Sequence, residues 1–132
     1  MSGLVMPIEN TINDDEKVIY STCVGVMAPE DFDDYVHRIW NTADHFGYNE
    51  FFDVTQGDWS TFDFGYLLTV AQNAAKLFTI DPNSKLAWLV LEGKQKELTD
   101  FYKAAKLMTN AASRELEAFY SKEEALKWLN TP

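Results

Sequence analysis

The sequence predicts an α/β domain: an N-terminal β-hairpin, then alternating strands and helices on a mixed sheet of about five strands with about four helices. Three observations carry this. Residues 18–27 alternate with period two, Val18, Tyr20, Thr22, Val24 and Val26 on one face against Ile19, Ser21, Cys23 and Met27 on the other. Residues 86–91, LAWLVL, form an apolar run too short for a typical helix and suited to a strand covered on both faces. Between and beyond these stretches, apolar residues recur at helical spacing.

Length and composition set the limits. A chain of 132 residues is the usual size of one domain, spanning 1–132, and can bury a core without disulfide or metal. No apolar run approaches the length of a membrane-spanning helix. The start, MSGLVMPIEN, lacks the basic region and long apolar core of a signal peptide, and a lone Cys23 suits a reducing compartment, so a cytoplasmic location is expected. With 21 acidic against 11 basic side chains the net charge is -10, which repels phosphate backbones and anionic bilayers. Nucleic acid as a partner and stable membrane anchoring are both disfavoured.

Taken in order, a short strand over Pro7–Ile12 leads through the polar turn Asn13-Asp14-Asp15-Glu16 into the alternating strand. Ala28-Pro29-Glu30-Asp31 has the proline and acids of a first helical turn, and Phe32, Tyr35, Val36, Ile39, Trp40, Ala43 and Phe46 predict one helix running to Gly47. His37 and His45 fall in this helix; Asp33 and His37 are one turn apart, but two ligands do not make a metal site, so a solvated pair is expected, with His45 exposed near the helix end. Asn49–Leu68, NEFFDVTQGDWSTFDFGYLL, reads as a buried strand, a sharp loop and a helix launched by a Ser60-x-x-Asp63 capping box and continuing through Leu77 and Phe78. Asp81-Pro82-Asn83-Ser84 is a turn. After the central strand at Lys85–Leu91, a third helix carries Leu98, Phe101, Tyr102, Ala105 and Met108 inward and ends at Asn110–Ser113. Arg114–Tyr120 suits an edge strand. A second capping box, Ser121 to Glu124, opens a last helix with Ala125, Leu126, Trp128 and Leu129.

This order, with the blocks MPIENTI, DEKVIYSTCVGVMAPEDF, FFDVT, KLAWLVLEGKQKELTDFYKAAKLM and SKEEALKWL, resembles the SpoIIAA-like branch of the STAS domains, a group of mostly uncharacterised proteins also compared with the SEC14 lipid-carrier fold. The resemblance spans nearly the whole chain. It implies a regulatory or binding module. In the anti-sigma factor antagonists of the STAS family, a Ser or Thr in an Asp-Ser-Ser-Gly-like loop before the second main helix is phosphorylated by a partner kinase. Laid over that motif, Ser60-Thr61-Phe62-Asp63 puts Thr61 nearest the acceptor, with Ser60 and Thr55 as the other possible acceptors that the resemblance implies. Ser60 then stands for the leading Asp, Phe62 for a small residue and Asp63 for the Gly.

Function is expected at the Thr55–Phe64 loop, since ligands of open α/β sheets gather beyond the carboxyl ends of the strands. Phe51, Phe52, Trp59, Phe62, Phe64 and Tyr66 fall within sixteen residues of one another. Either some of them line a pocket or exposed patch, or they fill core and leave a self-association surface. The leading expectation is a non-catalytic module in which Trp59, Phe62, Phe64 and Tyr66 rim a groove open to solvent, with Gly57 and Gly65 as hinges of a flap. That groove would receive an apolar small molecule or a partner protein, a homodimer included. The phospho-switched antagonist is the alternative, and an enzyme of unknown type a further one. No glycine-rich phosphate loop, Gly-x-Ser-x-Gly elbow or metal-ligand cluster is seen in the sequence, so no cofactor and no metal are expected.

Overall fold

The structure, a computed structural model, describes residues 7–77, 81, 83–108 and 114–132. Phe78, Pro82 and the Asn110–Ser113 helix end lie outside them, as does most of the N-terminal decapeptide.

Strands β1 (Ile8–Asn13) and β2 (Val18–Cys23) form the antiparallel hairpin, with Lys17 taking the left-handed turn conformation at φ 56. Two-residue β3 (Gly25–Val26) follows, then α1 (Pro29–Tyr35), β4 (Asn49–Asp53), two-residue β5 (Gly57–Asp58), α2 (Phe64–Ala74), β6 (Lys85–Leu89), α3 (Lys94–Leu107), β7 (Glu115–Phe119) and α4 (Lys122–Leu129). The main sheet has five strands in the order β1-β2-β4-β6-β7, with β2, β4, β6 and β7 mutually parallel, and β3 pairs with β5 apart from it. The mixed sheet with edge strand β7 agrees with the sequence reading.

Strand parity builds two cores. Ile19, Cys23, Phe52, Val54, Leu86, Trp88 and Leu116 point to one face, where Phe32, Tyr35, Leu67, Val70, Leu98, Tyr102 and Ala105 of the first three helices, with Trp40 just after α1, cover them. Val18, Phe51 and Ala87 point to the other face, covered by Ala125 and Leu129 of α4. Ser121 caps α4, its hydroxyl accepting from Glu124 N at 3.4 Å.

Four sequence expectations give way. The helix predicted to reach Gly47 is α-helical only to Tyr35, continues as a π turn over Val36–Trp40 and stops at Asn41. A 3-10 turn, Ala43–His45, then folds back and leaves Phe46 exposed. Tyr35, Ile39 and Trp40 are large and all buried, and the wider π turn brings the Trp40 ring inward beside Phe32 and Tyr35. Second, α2 starts after Asp63, not Ser60: Asp63 is itself the N-cap and accepts from Gly65 N at 2.9 Å. Third, β2 ends at Cys23, so Val24 and Val26 are exposed. Fourth, Phe101 and Met108 of α3 are exposed while Thr99 is buried.

Candidate functional site

Parallel pairing puts the carboxyl ends of β2, β4, β6 and β7 at one edge, and the loop after β4 is built there from short polar turns. Asp53 Oδ1 accepts from Thr55 N at 2.9 Å and from Thr55 Oγ1 at 2.6 Å, and Gly57 N donates to Val54 O at 3.1 Å. Pairing of β5 with β3 holds the loop against the segment after β2, and Met27 N donates to Asp58 O at 2.9 Å. Asp58 Oδ1 then accepts from Ser60 N at 3.0 Å. Hydrogen bonding to Ser60, with Lys94 nearby, holds the exposed Asp58 carboxyl below its usual pKa, so it is a fixed negative charge.

These turns aim the loop's aromatics inward, contrary to the expected solvent-facing rim. Trp59 is 4% exposed and Phe62 3%, and both belong to the main core. The Trp59 indole donates to Val54 O at 3.2 Å, its ring lies 5.0 Å edge-on from that of Phe62, and Phe62 continues to Phe32 at 6.5 Å and Tyr66 at 6.2 Å. The physical reason is that β5 pairs with β3, which holds the loop against the body of the domain, and burying two large rings in this corner outweighs leaving them wet. Phe64 is half-buried against Phe101 at 5.7 Å. Tyr66 is half-buried, and burial with Asp33 nearby pushes its phenol up to about 12. At Gly57 a Cβ would lie 2.7 Å from Trp59 Nε1 and 3.2 Å from Cys23 Cβ, so close packing alone accounts for the glycine.

A groove does adjoin the loop, on its far side. It has about 260 Å³ and is lined by Gly57, Asp58, Ser60, Leu91, Glu92 and Lys94, with Trp59 and Gln95 also contributing. Gln95 stitches the two loops together, accepting from Leu91 N at 2.9 Å and donating to Gly57 O at 3.4 Å. Lys94 Nζ donates to Ser60 O at 2.8 Å and lies 5.6 Å from the Phe64 ring. Ser60 and Thr61 are exposed, whereas Thr55 is half-buried with its hydroxyl committed to Asp53. Cys23 is wholly buried, and burial raises its thiol pKa, which makes it an inert core residue.

No protein-family model and no curated protein matches the chain. Among solved structures, a protein of the DUF3478 family from Shewanella loihica PV-4, described as having a SpoIIAA-like fold, superposes with a TM-score of 0.58 over 98% of both chains at 19% sequence identity. The fold is SpoIIAA-like. Likeness at that identity establishes the architecture alone. No described helix is long and apolar enough to cross a membrane.

At the amino edge of this SpoIIAA-like sheet lies a polar cluster that the sequence reading missed. Glu50 is fully buried, and its Oε1 accepts from Arg114 Nη2 at 2.7 Å and from Trp40 Nε1 at 3.0 Å. Burial raises the Glu50 pKa, and the Arg114 charge and hydrogen bond oppose that. Lys106 Nζ donates to Arg114 O at 2.6 Å, and burial, with Arg114 adding to it, pushes its amine down to about 7. A signal existed: Glu50 shares strand parity with Phe52 and Val54, and Arg114 with Leu116, so both belonged to the buried face. Of the two histidines, His37 lies 3.6 Å from Asp33 on the exposed helix face as expected. His45 is not exposed but half-buried, its Nδ1 sealed from solvent, because the chain turns back after Asn41.

Proposed function

We propose that the chain is a non-catalytic, cytoplasmic regulatory module that docks a partner protein on the carboxyl edge of its sheet, beside the Thr55–Phe64 loop. The observation that carries this reading is the exposure of Val24, Val26, Leu91 and Tyr120, each just beyond the carboxyl end of a parallel strand. Strands β2 and β7 are separated by β4 and β6, so these side chains spread over roughly 14 Å of edge at the usual strand spacing. That breadth suits a protein surface better than a small molecule. An apolar ligand behind Trp59 loses its support, because that ring fills core. The catalytic alternative is weakened by the employment of the loop's polar side chains: Asp53, Asp58, Asp63 and Gln95 all bind backbone groups of the loops.

A photo-crosslinking residue at Leu91, with a control at Lys127 on α4, tests this in cells. A defined protein adduct from position 91 only, lost on Val26→Asp, is the expected result. If the adduct is a second copy of this chain, the module is a homodimer through that edge. Adducts equal at both positions, or absent from both, would sink the reading.

The phospho-switched antagonist is kept as a second reading, on the exposure of Ser60 and Thr61 in the turn before α2. Thr55 is the weakest acceptor, its hydroxyl being engaged. Phosphoproteomics of growing and starved cells decides: a phosphate on Ser60 or Thr61 supports the switch, and unmodified residues in both states remove it.

A further inference from the structure

A cavity of about 20 Å³ lies at the amino edge of the sheet, opposite the proposed docking edge, lined by Trp40, Thr42, His45, Asp81, Ser84 and Arg114 among others. Its roof follows from the π turn. The Asn41 N–H donates five residues back, to Val36 O at 2.8 Å, and Asn41 ends the helix at ψ 48, after which the chain folds over the sheet edge. Gly47, at φ +88, lets the returning chain pass close to the Asp81 carboxylate, whose Oδ2 would be 3.6 Å from a Cβ there. Beneath this roof, His45 Nδ1 is shielded from solvent and has no hydrogen-bond partner among the described residues.

We infer that this cavity binds one water molecule, which hydrogen-bonds to His45 Nδ1 and finds its other partners among the polar groups of Thr42, Asp81, Ser84 and Arg114. The volume matches that of one water, which needs about 10–15 Å³ of this kind of space. The charges point the same way. A metal cation would face the Arg114 guanidinium, and an anion would face Asp81; a neutral molecule that both donates and accepts meets neither penalty. An unpaired buried ring nitrogen is costly, and a water bridging to the loop before β6 removes that cost while tying the Ala43–His45 turn to the rest of the amino edge.

A crystal structure at high resolution tests this directly. One spherical density peak within hydrogen-bond distance of His45 Nδ1, as well ordered as its neighbours, is expected. A cavity without density, or an imidazole turned over so that Nδ1 bonds a protein group, would overturn the inference. In solution, magnetic relaxation dispersion should count one long-lived water fewer in His45→Phe than in the parent protein, and an unchanged count would also overturn it. Should the variant not fold, diffraction from the parent protein decides alone.

Discussion

Arg114 Nη2 meets Glu50 Oε1 at 2.7 Å in the interior, and the Trp40 indole binds the same oxygen while its ring lies 4.9 Å from the guanidinium. Three places that are distant in sequence, the π turn, β4 and the residue before β7, are joined at one carboxylate oxygen. Removing either charge leaves the other buried without its partner, which costs far more than losing the pair together.

Arg114→Met is therefore expected to cost about 3–5 kcal/mol, and Glu50→Gln combined with Arg114→Met to recover a good part of that, since Gln still accepts from Trp40. Urea unfolding with unchanged m values measures both. A single variant within about 0.5 kcal/mol of the parent would mean that water reaches the pair.

Stability should rise as pH is raised from about 7 toward 9, because burial lowers the Lys106 amine to about 7 in the fold from 10.5 for the ordinary amine. The sign follows from proton counting: between these values the unfolded chain binds more protons than the native one, so the penalty of a buried ammonium is complete below about 7 and fades above it. Above about 9 the rise should level off, since burial also raises the Cys23 thiol, and above about 10 the trend should reverse, since burial raises the phenols of Tyr66 and Tyr102 as well and stability held by raised groups is lost with rising pH. Lys106→Met should flatten the rise and leave the reversal. A parent profile already flat from pH 7 to 9 would contradict the burial of that amine.

Gly57→Ala should destabilise by about 1–3 kcal/mol through overpacking, because its Cβ would press on Trp59 Nε1 at 2.7 Å, Cys23 Cβ at 3.2 Å and Met27 Cγ at 3.3 Å. Trp59→Ala should cost about 3–5 kcal/mol as a core cavity. Thermal melts of both variants check this. Trp59→Ala melting with the parent would restore the solvent-facing aromatic rim.

The fold was legible because its signals were local and mutually consistent: period two in 18–23, the apolar LAWLVL run, and Ser121 ahead of a short amphipathic helix. The candidate site was legible only in place. The carboxyl-edge loop was found, but whether Trp59 faced in or out depended on β5 pairing with β3, a contact between residues more than thirty positions apart that no local pattern announces. Glu50 and Arg114 were hidden differently. Each sits where strand parity demands an apolar residue, and a charge there is explained only by its partner 64 positions away.

Lys85 should be the residue that holds α4 onto the sheet. Its Nζ donates to Trp128 O at 3.0 Å, Thr131 O at 2.7 Å and Thr131 Oγ1 at 2.9 Å, and lies 5.1 Å from the Trp128 ring. Asn49 Nδ2 adds a bond to Leu129 O at 3.0 Å, while Asn49 Oδ1 accepts from Lys85 N at 2.8 Å, so one strand pair caps the helix from below. The carbonyls at a helix end have no partner within the helix, and a cation there also meets the negative end of the dipole. A helix of eight residues cannot persist on its own propensity and depends on Ala125 and Leu129 staying docked against Val18, Phe51 and Ala87. Lys85→Met keeps the apolar stem but loses the cap, so it should cost about 1–2 kcal/mol. Hydrogen exchange should quicken for the amides of the last α4 turn while those of β6 and α3 keep their relative protection. Quickening spread evenly over the chain would show that Lys85 contributes to global stability without locally anchoring the helix.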